Sequence, residues 1–118
     1  MQDFKNLRVW HKALSLALSI DRLVARINAR RYAPLKNQLF RAASSIPANI
    51  AEGRRKKTDR DFAKFLGIAA GSSSELESHL IFAHKAGIIG ERQFIALVSQ
   101  TIEVRKMLFA LIRRLTDD

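Results

Sequence analysis

The sequence predicts an all-α protein, an antiparallel up-down-up-down four-helix bundle, from three observations. Apolar residues recur three and four positions apart along four segments, as on one face of a helix. Only 2 prolines and 5 glycines interrupt the 118 residues, and no stretch alternates apolar and polar residues as a half-buried strand would. The segments between the four patterns are short, which favours antiparallel neighbours. The length predicts a single domain over residues 1–118.

The first predicted helix runs from about Leu7 to Ala29 and has an unusually wide apolar face. One apolar strip consists of Val9, Ala13, Leu16, Ile20, Leu23 and Ile27. A second strip beside it begins at Leu7, and the two strips cannot both point into the same core. Phe40 is similarly displaced from the apolar seam of the second helix. We therefore expect an interface between subunits, formed by Leu7, Trp10, Leu14, Leu18 and Phe40.

The second predicted helix follows a connector at residues 32–34, because Pro34 suits the first turn of a helix. Its apolar face is formed by Leu35, Leu39, Ala42, Ile46 and Ile50. Pro47 lies inside this pattern, and it should kink the helix or leave the carbonyl of Ala43 without its donor. Gly53 is expected to end the helix.

The third predicted helix begins after Thr58, which suits an N-cap with Asp61 three residues later. Its apolar seam repeats at spacings of four and three: Phe62, Leu66, Ala69, Ser73, Leu76, Leu80 and Ala83. Gly67 and Gly71 should allow close approach of another helix, and Gly87 should end this one.

The fourth predicted helix runs from about Glu91 to Leu115, after a short loop at residues 88–90. Its core side consists of Phe94, Leu97, Val98, Thr101, Ile102, Leu108, Leu111, Ile112 and Leu115. When the helices pack together, we expect these side chains to be buried within one subunit: Leu39, Ile46, Leu66, Ala69, Leu76, Leu80, Leu108 and Ile112.

The composition excludes several classes of protein. The chain has no cysteine, so neither a disulfide framework nor a thiolate metal site can form. Its longest uncharged apolar stretches are well short of the roughly 18 residues that span a bilayer. The N-terminus carries Asp3 before any basic residue and has no signal-peptide pattern. These features predict a cytoplasmic protein that does not bind a membrane.

The net charge of +10 is concentrated in one half of the chain. Residues 1–57 contain 13 basic and 3 acidic residues, whereas residues 58–118 contain 8 of each. Such a charge attracts phosphates or acidic protein surfaces, although it can also serve solubility alone. The candidate nucleic-acid-binding residues form a stripe on the first helix and a cluster after the second: Arg8, Lys12, Arg22, Arg26, Arg30, Arg54, Arg55, Lys56 and Lys57. Contacts of this kind reach backbone phosphates and carry little sequence preference.

Three blocks of the sequence form longer motifs. F-x-x-L-x-V-W spans residues 4–10, Q-x-x-R-A-x-x-S-I-x-x-N-I-A-E-G spans residues 38–53, and F-x-x-F-L-x-I-A-x-G-S-x-x-E spans residues 62–75. These blocks resemble a bacterial four-helix-bundle family, the 23S ribosomal RNA intervening-sequence proteins. A more distant resemblance is to the accessory proteins of diversity-generating retroelements, which bind nucleic acid and a reverse transcriptase. The resemblance implies a homopentamer around a central opening, without enzymatic activity.

The residues give no reason to expect catalysis. A di-metal site in a four-helix bundle needs Glu-x-x-His motifs, but Ser78 and Leu80 follow Glu75 and Glu77 at that spacing. The serines at 72–74 lie in mid-helix without a histidine partner, and there is no glycine-rich phosphate loop. We therefore predict no enzymatic activity, no catalytic residue, no metal and no cofactor.

The polar residues and glycines of the motifs permit two interpretations, structural support or ligand contact. They are Arg41, Asn49, Glu52, Gly53, Gly71 and Glu75. We expect support, because Arg41 is roughly level with Gly71 if the two helices are antiparallel. Glu75 is then about one turn away, within reach of the long Arg41 side chain, and should pair with it. Asn49 and Glu52 should tie the end of the second helix to the following turn.

Together these features predict a non-enzymatic, homo-oligomeric protein that binds the backbone of RNA or DNA. The number of five subunits comes from the resemblance alone. The alternative is a scaffold whose basic face docks an acidic protein, such as a reverse transcriptase or a ribosome-associated protein. A steep salt dependence of RNA binding would support the first interpretation, and a stoichiometric protein partner after nuclease treatment would support the second.

Overall fold

The chain folds into four long α-helices, as predicted, in a computed structural model that describes residues 3–117. The helices are α1 (Arg8–Ala25), α2 (Ala29–Arg54), α3 (Asp59–Lys85) and α4 (Glu91–Thr116), with a short 3₁₀ helix (Phe4–Asn6) before α1. No strand occurs among the described residues. Helix α2 packs against α1 and α3, and α4 packs against α3 and α1, so the four helices surround a common core.

The predicted apolar seams form this core. Every seam residue predicted for the third helix is buried, as are the first strip of α1 and the apolar face of α2. Helix α4 also buries Val104, which was not among its predicted core residues although it fits the same spacing of four and three. The prediction that Ile112 is buried is wrong, because this side chain is only half-buried. It lies one turn from the end of α4, where fewer neighbouring side chains cover it.

The junction between α1 and α2 differs from the prediction. Helix α1 ends at Ala25, and Asn28 caps α2 by accepting a hydrogen bond from the backbone N–H of Arg30 at 3.0 Å. Asparagine is among the best N-cap residues, which explains why the break lies there. The expected connector at residues 32–34 is instead a kink inside α2, where Tyr32 has non-helical angles (φ −113°, ψ 24°). Pro34 causes it, because its ring clashes with the carbonyl one turn earlier.

Pro47 does not kink α2. The helix keeps helical angles at this residue, and the pyrrolidine ring is buried in the core. The amide Nδ2 of Asn49 donates to the carbonyl of Ser45 at 2.8 Å, so it does not replace the donor that Ala43 lacks. The expectation that Asn49 ties the end of α2 to the next turn is therefore wrong, because its bond stays within the helix.

Gly53 has a different role from the one predicted. It lies inside the last turn of α2 and is buried, and a β-carbon there would lie 2.7 Å from the β-carbon of Phe65. Its missing side chain therefore lets α2 and α3 touch. Gly67 and Gly71 are exposed, with no atom within 4 Å of a β-carbon placed on either, so the expected close approach at Gly71 does not occur within the bundle. These two glycines lie on the outer side of α3.

The ends of α3 are determined by local sequence signals, as predicted. The hydroxyl of Thr58 accepts a hydrogen bond from the backbone N–H of Asp61 at 3.1 Å. At the other end, Gly87 has a φ of 76°, in the left-handed region that favours glycine. The N–H of Ile88 donates to the carbonyl of Ala83 at 2.8 Å, which completes a Schellman motif.

Candidate nucleic-acid interface

The basic stripe predicted on the first helix is divided into separate groups. Arg8 and Arg114 line a groove of about 310 Å³ between α1 and α4. Arg22 and Arg26 line another groove between the same helices, of about 220 Å³. At 1.5 Å per residue, Arg8 and Arg26 are roughly 27 Å apart along the helix direction. Arg30 is not part of the stripe on α1, because it belongs to α2.

Lys12 is the member of this stripe that carries an ion pair. Its Nζ lies 3.1 Å from Oε1 of Glu103 on α4, and both side chains are solvated. An exposed pair of this kind contributes at most about 1 kcal/mol, so Lys12 can exchange the carboxylate for a phosphate. The partner could not be found from the first helix alone, because Glu103 becomes a neighbour only when α4 packs against α1.

The basic cluster after the second helix forms the turn between α2 and α3. Lys56 and Arg55 lie 3.1 and 3.9 Å from the carboxylate of Glu52, which therefore joins the end of α2 to this turn. The ammonium of Lys56 also lies 5.0 Å from the centre of the Phe65 ring. Arg54 is half-buried over the ring of Phe62, at 5.6 Å. Arg55, Lys56 and Lys57 are all exposed to water, and of these three Lys56 also lies over an aromatic ring.

The expected Arg41–Glu75 pair is absent. Both side chains are exposed and no ion pair joins them within 4.0 Å. They line opposite sides of a groove of about 440 Å³ between α2 and α3, together with Gln38, Ser45 and His79. In water, two flexible charged side chains gain little from being held together, which explains why proximity alone does not pair them.

The hydroxyl of Ser45 makes the direct polar link between α2 and α3 beside this groove, by donating to the hydroxyl of Ser72. Gln38 and His79 are not among the site residues predicted from the sequence. The available signal was the spacing of Gln38, Arg41 and Ser45, which places them on one side of α2.

The predicted interface residues are covered to different degrees. Leu7, Trp10 and Leu14 are half-buried, and the Trp10 ring packs edge-on against Phe4 with ring centres 4.9 Å apart. Leu18 is 49% exposed and Phe40 is 47% exposed, so they are open to a partner. Five other large apolar side chains, none of them predicted as interface residues, are also exposed: Ile68, Ile81, Phe82, Ile95 and Phe109.

Within residues 3–117, no three His, Cys, Asp or Glu side chains come together as a metal site would require. His84 has a local partner instead, because its Nε2 lies 3.0 Å from Oε1 of Glu91 and its ring stacks on Phe94. Across the same residues, no helix is both long and apolar enough to cross a bilayer.

Comparison with known proteins places this geometry in a family. A solved structure of a protein of unknown function from the S23 ribosomal protein family of Bacteroides thetaiotaomicron is similar, with a TM-score of 0.83 and 26% sequence identity. The match covers 89% of this chain and 98% of that one. No curated protein matches the chain.

The sequence model described as 23S rRNA-intervening sequence protein matches residues 5–110. This range contains the whole of the second and third sequence blocks, at residues 38–53 and 62–75. It also contains both basic regions and most of α4. The chain therefore belongs to the 23S rRNA-intervening sequence protein family.

Proposed function

We propose that this protein is a non-enzymatic homo-oligomer that binds the backbone of RNA or DNA with little sequence preference. The observation that carries the proposal is the net charge of +10, all of it from residues 1–57, whose basic side chains are mostly exposed. Exposed cations at tolerable spacing are what phosphate contacts require.

We infer that the bundle has an up-down-up-down order, which gathers the cations at its two ends. Where two neighbouring helices touch, the residue numbers rise along one helix and fall along the other, as in an antiparallel pair. The contacts are those of Gly53 with Phe62 and Phe65, Ser45 with Ser72, Glu77 with Arg105, and His84 with Phe94. In this order Arg8, the turn at residues 54–57 and Arg114 share one end. Arg22, Arg26 and Arg30 share the other. Two concentrated positive ends attract a polyanion more strongly than scattered charges do.

Assembly of several subunits is supported by exposed apolar side chains on two sides of the bundle. Leu18 and Phe40 belong to α1 and α2, whereas Ile81, Ile95 and Phe109 belong to α3 and α4. A contact between two different surfaces of identical subunits closes into a ring when the rotation allows it. The family resemblance implies five subunits. Five copies of a chain with charge +10 repel one another, and bound phosphates would relieve that repulsion.

The test is a fluorescence-anisotropy titration of the full chain with labelled single-stranded RNA and DNA of one sequence, about 20 nucleotides long. We expect similar affinities for both, and a steep loss of affinity between about 50 and 200 mM salt. Absence of binding at the lower salt would contradict the proposal. A protein that stays bound stoichiometrically after nuclease treatment, with no such binding of RNA or DNA, would favour the scaffold instead.

A further inference from the structure

We propose that the trough between α2 and α3 binds a short segment of single-stranded nucleic acid through its bases as well as its phosphates. This inference rests on the proposed function and deepens it, because it names a site outside the basic stripe and the basic turn. The ligand class follows from three features of the trough, which are its continuity, its aromatic end and its unpaired polar end.

The trough is continuous because two cavities share part of their lining. The cavity of about 440 Å³ that contains Arg41 adjoins one of about 360 Å³, and Gln38 and His79 line both. Along α2 the lining extends from Arg31 to Ser45, which is roughly 21 Å at 1.5 Å per residue. At about 3.4 Å per base in a stacked strand, that length holds several nucleotides.

One end of the trough is aromatic and apolar. Phe82 is 59% exposed there, and Tyr32 and Pro34 line the same cavity. The guanidinium of Arg31 lies 5.2 Å from the centre of the Tyr32 ring. An isolated exposed phenylalanine needs no explanation, but a phenylalanine beside a tyrosine and an arginine forms a stacking surface with a phosphate contact next to it.

The other end carries polar side chains that the fold itself does not use. Within residues 3–117, the side chains of Gln38, Arg41 and Glu75 make no hydrogen bond and no ion pair. These residues belong to the sequence blocks at 38–53 and 62–75, yet they do not hold the bundle together. Their availability is what a ligand site requires.

The chemistry of this polar end matches a nucleotide better than a bare phosphate chain. The Arg41 guanidinium suits phosphate, and the Gln38 amide can both donate to and accept from a base edge. Glu75 only accepts, so it would repel phosphate but accept from the amino group of a base. Because a duplex hides its base faces, the trough selects unpaired bases.

The experiment is an anisotropy titration of the full chain with a labelled mixed-sequence RNA of about 12 nucleotides, single-stranded and as a duplex. Phe82→Ala should weaken binding of the single strand at least about fivefold and leave duplex binding unchanged. Arg41→Gln should also weaken the single strand more than the duplex. Ile68→Ala is the matched control, because Ile68 is 45% exposed on α3, the helix of Phe82, and lies outside both cavities. This substitution should change the affinity for neither the single strand nor the duplex.

The outcomes separate this inference from the proposed function. If the wild-type chain binds with a steep salt dependence but Phe82→Ala and Arg41→Gln behave like Ile68→Ala, the trough is not the site and the proposed function stands. If the wild-type chain binds neither RNA nor DNA, both fail. If a poly-glutamate peptide binds the wild-type chain and loses affinity with Phe82→Ala while RNA binding persists, the trough is a peptide site and the inference is wrong.

Discussion

A β-carbon on Gly53 would lie 2.7 Å from the β-carbon of Phe65, so the last turn of α2 packs against the first turns of α3 too closely to hold a side chain at residue 53. Backbone and the first atoms of a side chain cannot move aside as the tip of a flexible side chain can. This contact fixes the position of the basic turn at residues 54–57, which begins immediately after Gly53.

Gly53→Ala should therefore destabilise the protein, by about 1–3 kcal/mol, because the added methyl group forces α2 and α3 apart. Gly71→Ala is the matched control: it lies in a helix with open space around it, and it should raise stability by about 0.5–1 kcal/mol. Urea unfolding followed by circular dichroism measures both. Equal effects of the two substitutions would mean that the contact at Gly53 is relieved without cost.

Leu76→Ala should cost about 2–5 kcal/mol, because Leu76 is fully buried and its truncation leaves a cavity in the core. Ile112→Ala should cost clearly less, since Ile112 is only half-buried. The same urea titration compares the two variants. A neutral effect of Leu76→Ala on the unfolding midpoint would place the seam of α3 elsewhere.

The double variant Arg55→Glu, Lys57→Glu should weaken binding to RNA and DNA alike, because both side chains are exposed beside the α2–α3 turn. The salt slope of single-strand binding should fall by about 1.4, that is about 0.7 for each lost phosphate contact. Arg54 and Lys56 are left intact because they pack over Phe62 and Phe65. Anisotropy titrations at several salt concentrations provide the slope.

The control for this variant is Arg92→Glu, Lys106→Glu, which changes the net charge equally at exposed positions of α4. If both double variants lose affinity to the same extent, total charge matters and the turn is not a site. Arg22→Glu, Arg26→Glu then tests whether the other group on α1 contributes separately.

Light scattering coupled to gel filtration should give the mass of a homo-oligomer, with five subunits expected from the family resemblance. Phe40→Glu should reduce that mass, because it places a charge on an exposed apolar side chain of the proposed interface. Ile68→Glu, a substitution at a similarly exposed side chain, should not. A monomer at micromolar concentration would contradict the proposed assembly. A dimer would contradict only the expected number of five subunits.

The sequence by itself determined the helices and their buried faces, because both depend on residues a few positions apart. The spacing of four and three identifies seven of the nine buried positions of α3, from Phe62 to Ala83; the other two are Ala63 and Ala70, beside the seam. The caps at Thr58 and Gly87 are equally local. The predicted α1–α2 break at residues 32–34 lies too late in the chain, because the N-cap at Asn28 starts α2 before Pro34.

Only the tertiary structure decided which side chains of different helices meet. Lys12 has Glu103 as its partner, and Arg8 has Arg114 beside it, because α4 packs against α1. Arg41 and Glu75 are neighbours, as their positions on adjacent helices suggested, yet they lie exposed and unpaired across a groove. The lateral spacing and rotation of packed helices depend on the sum of all core contacts. No periodicity within a single helix contains that information.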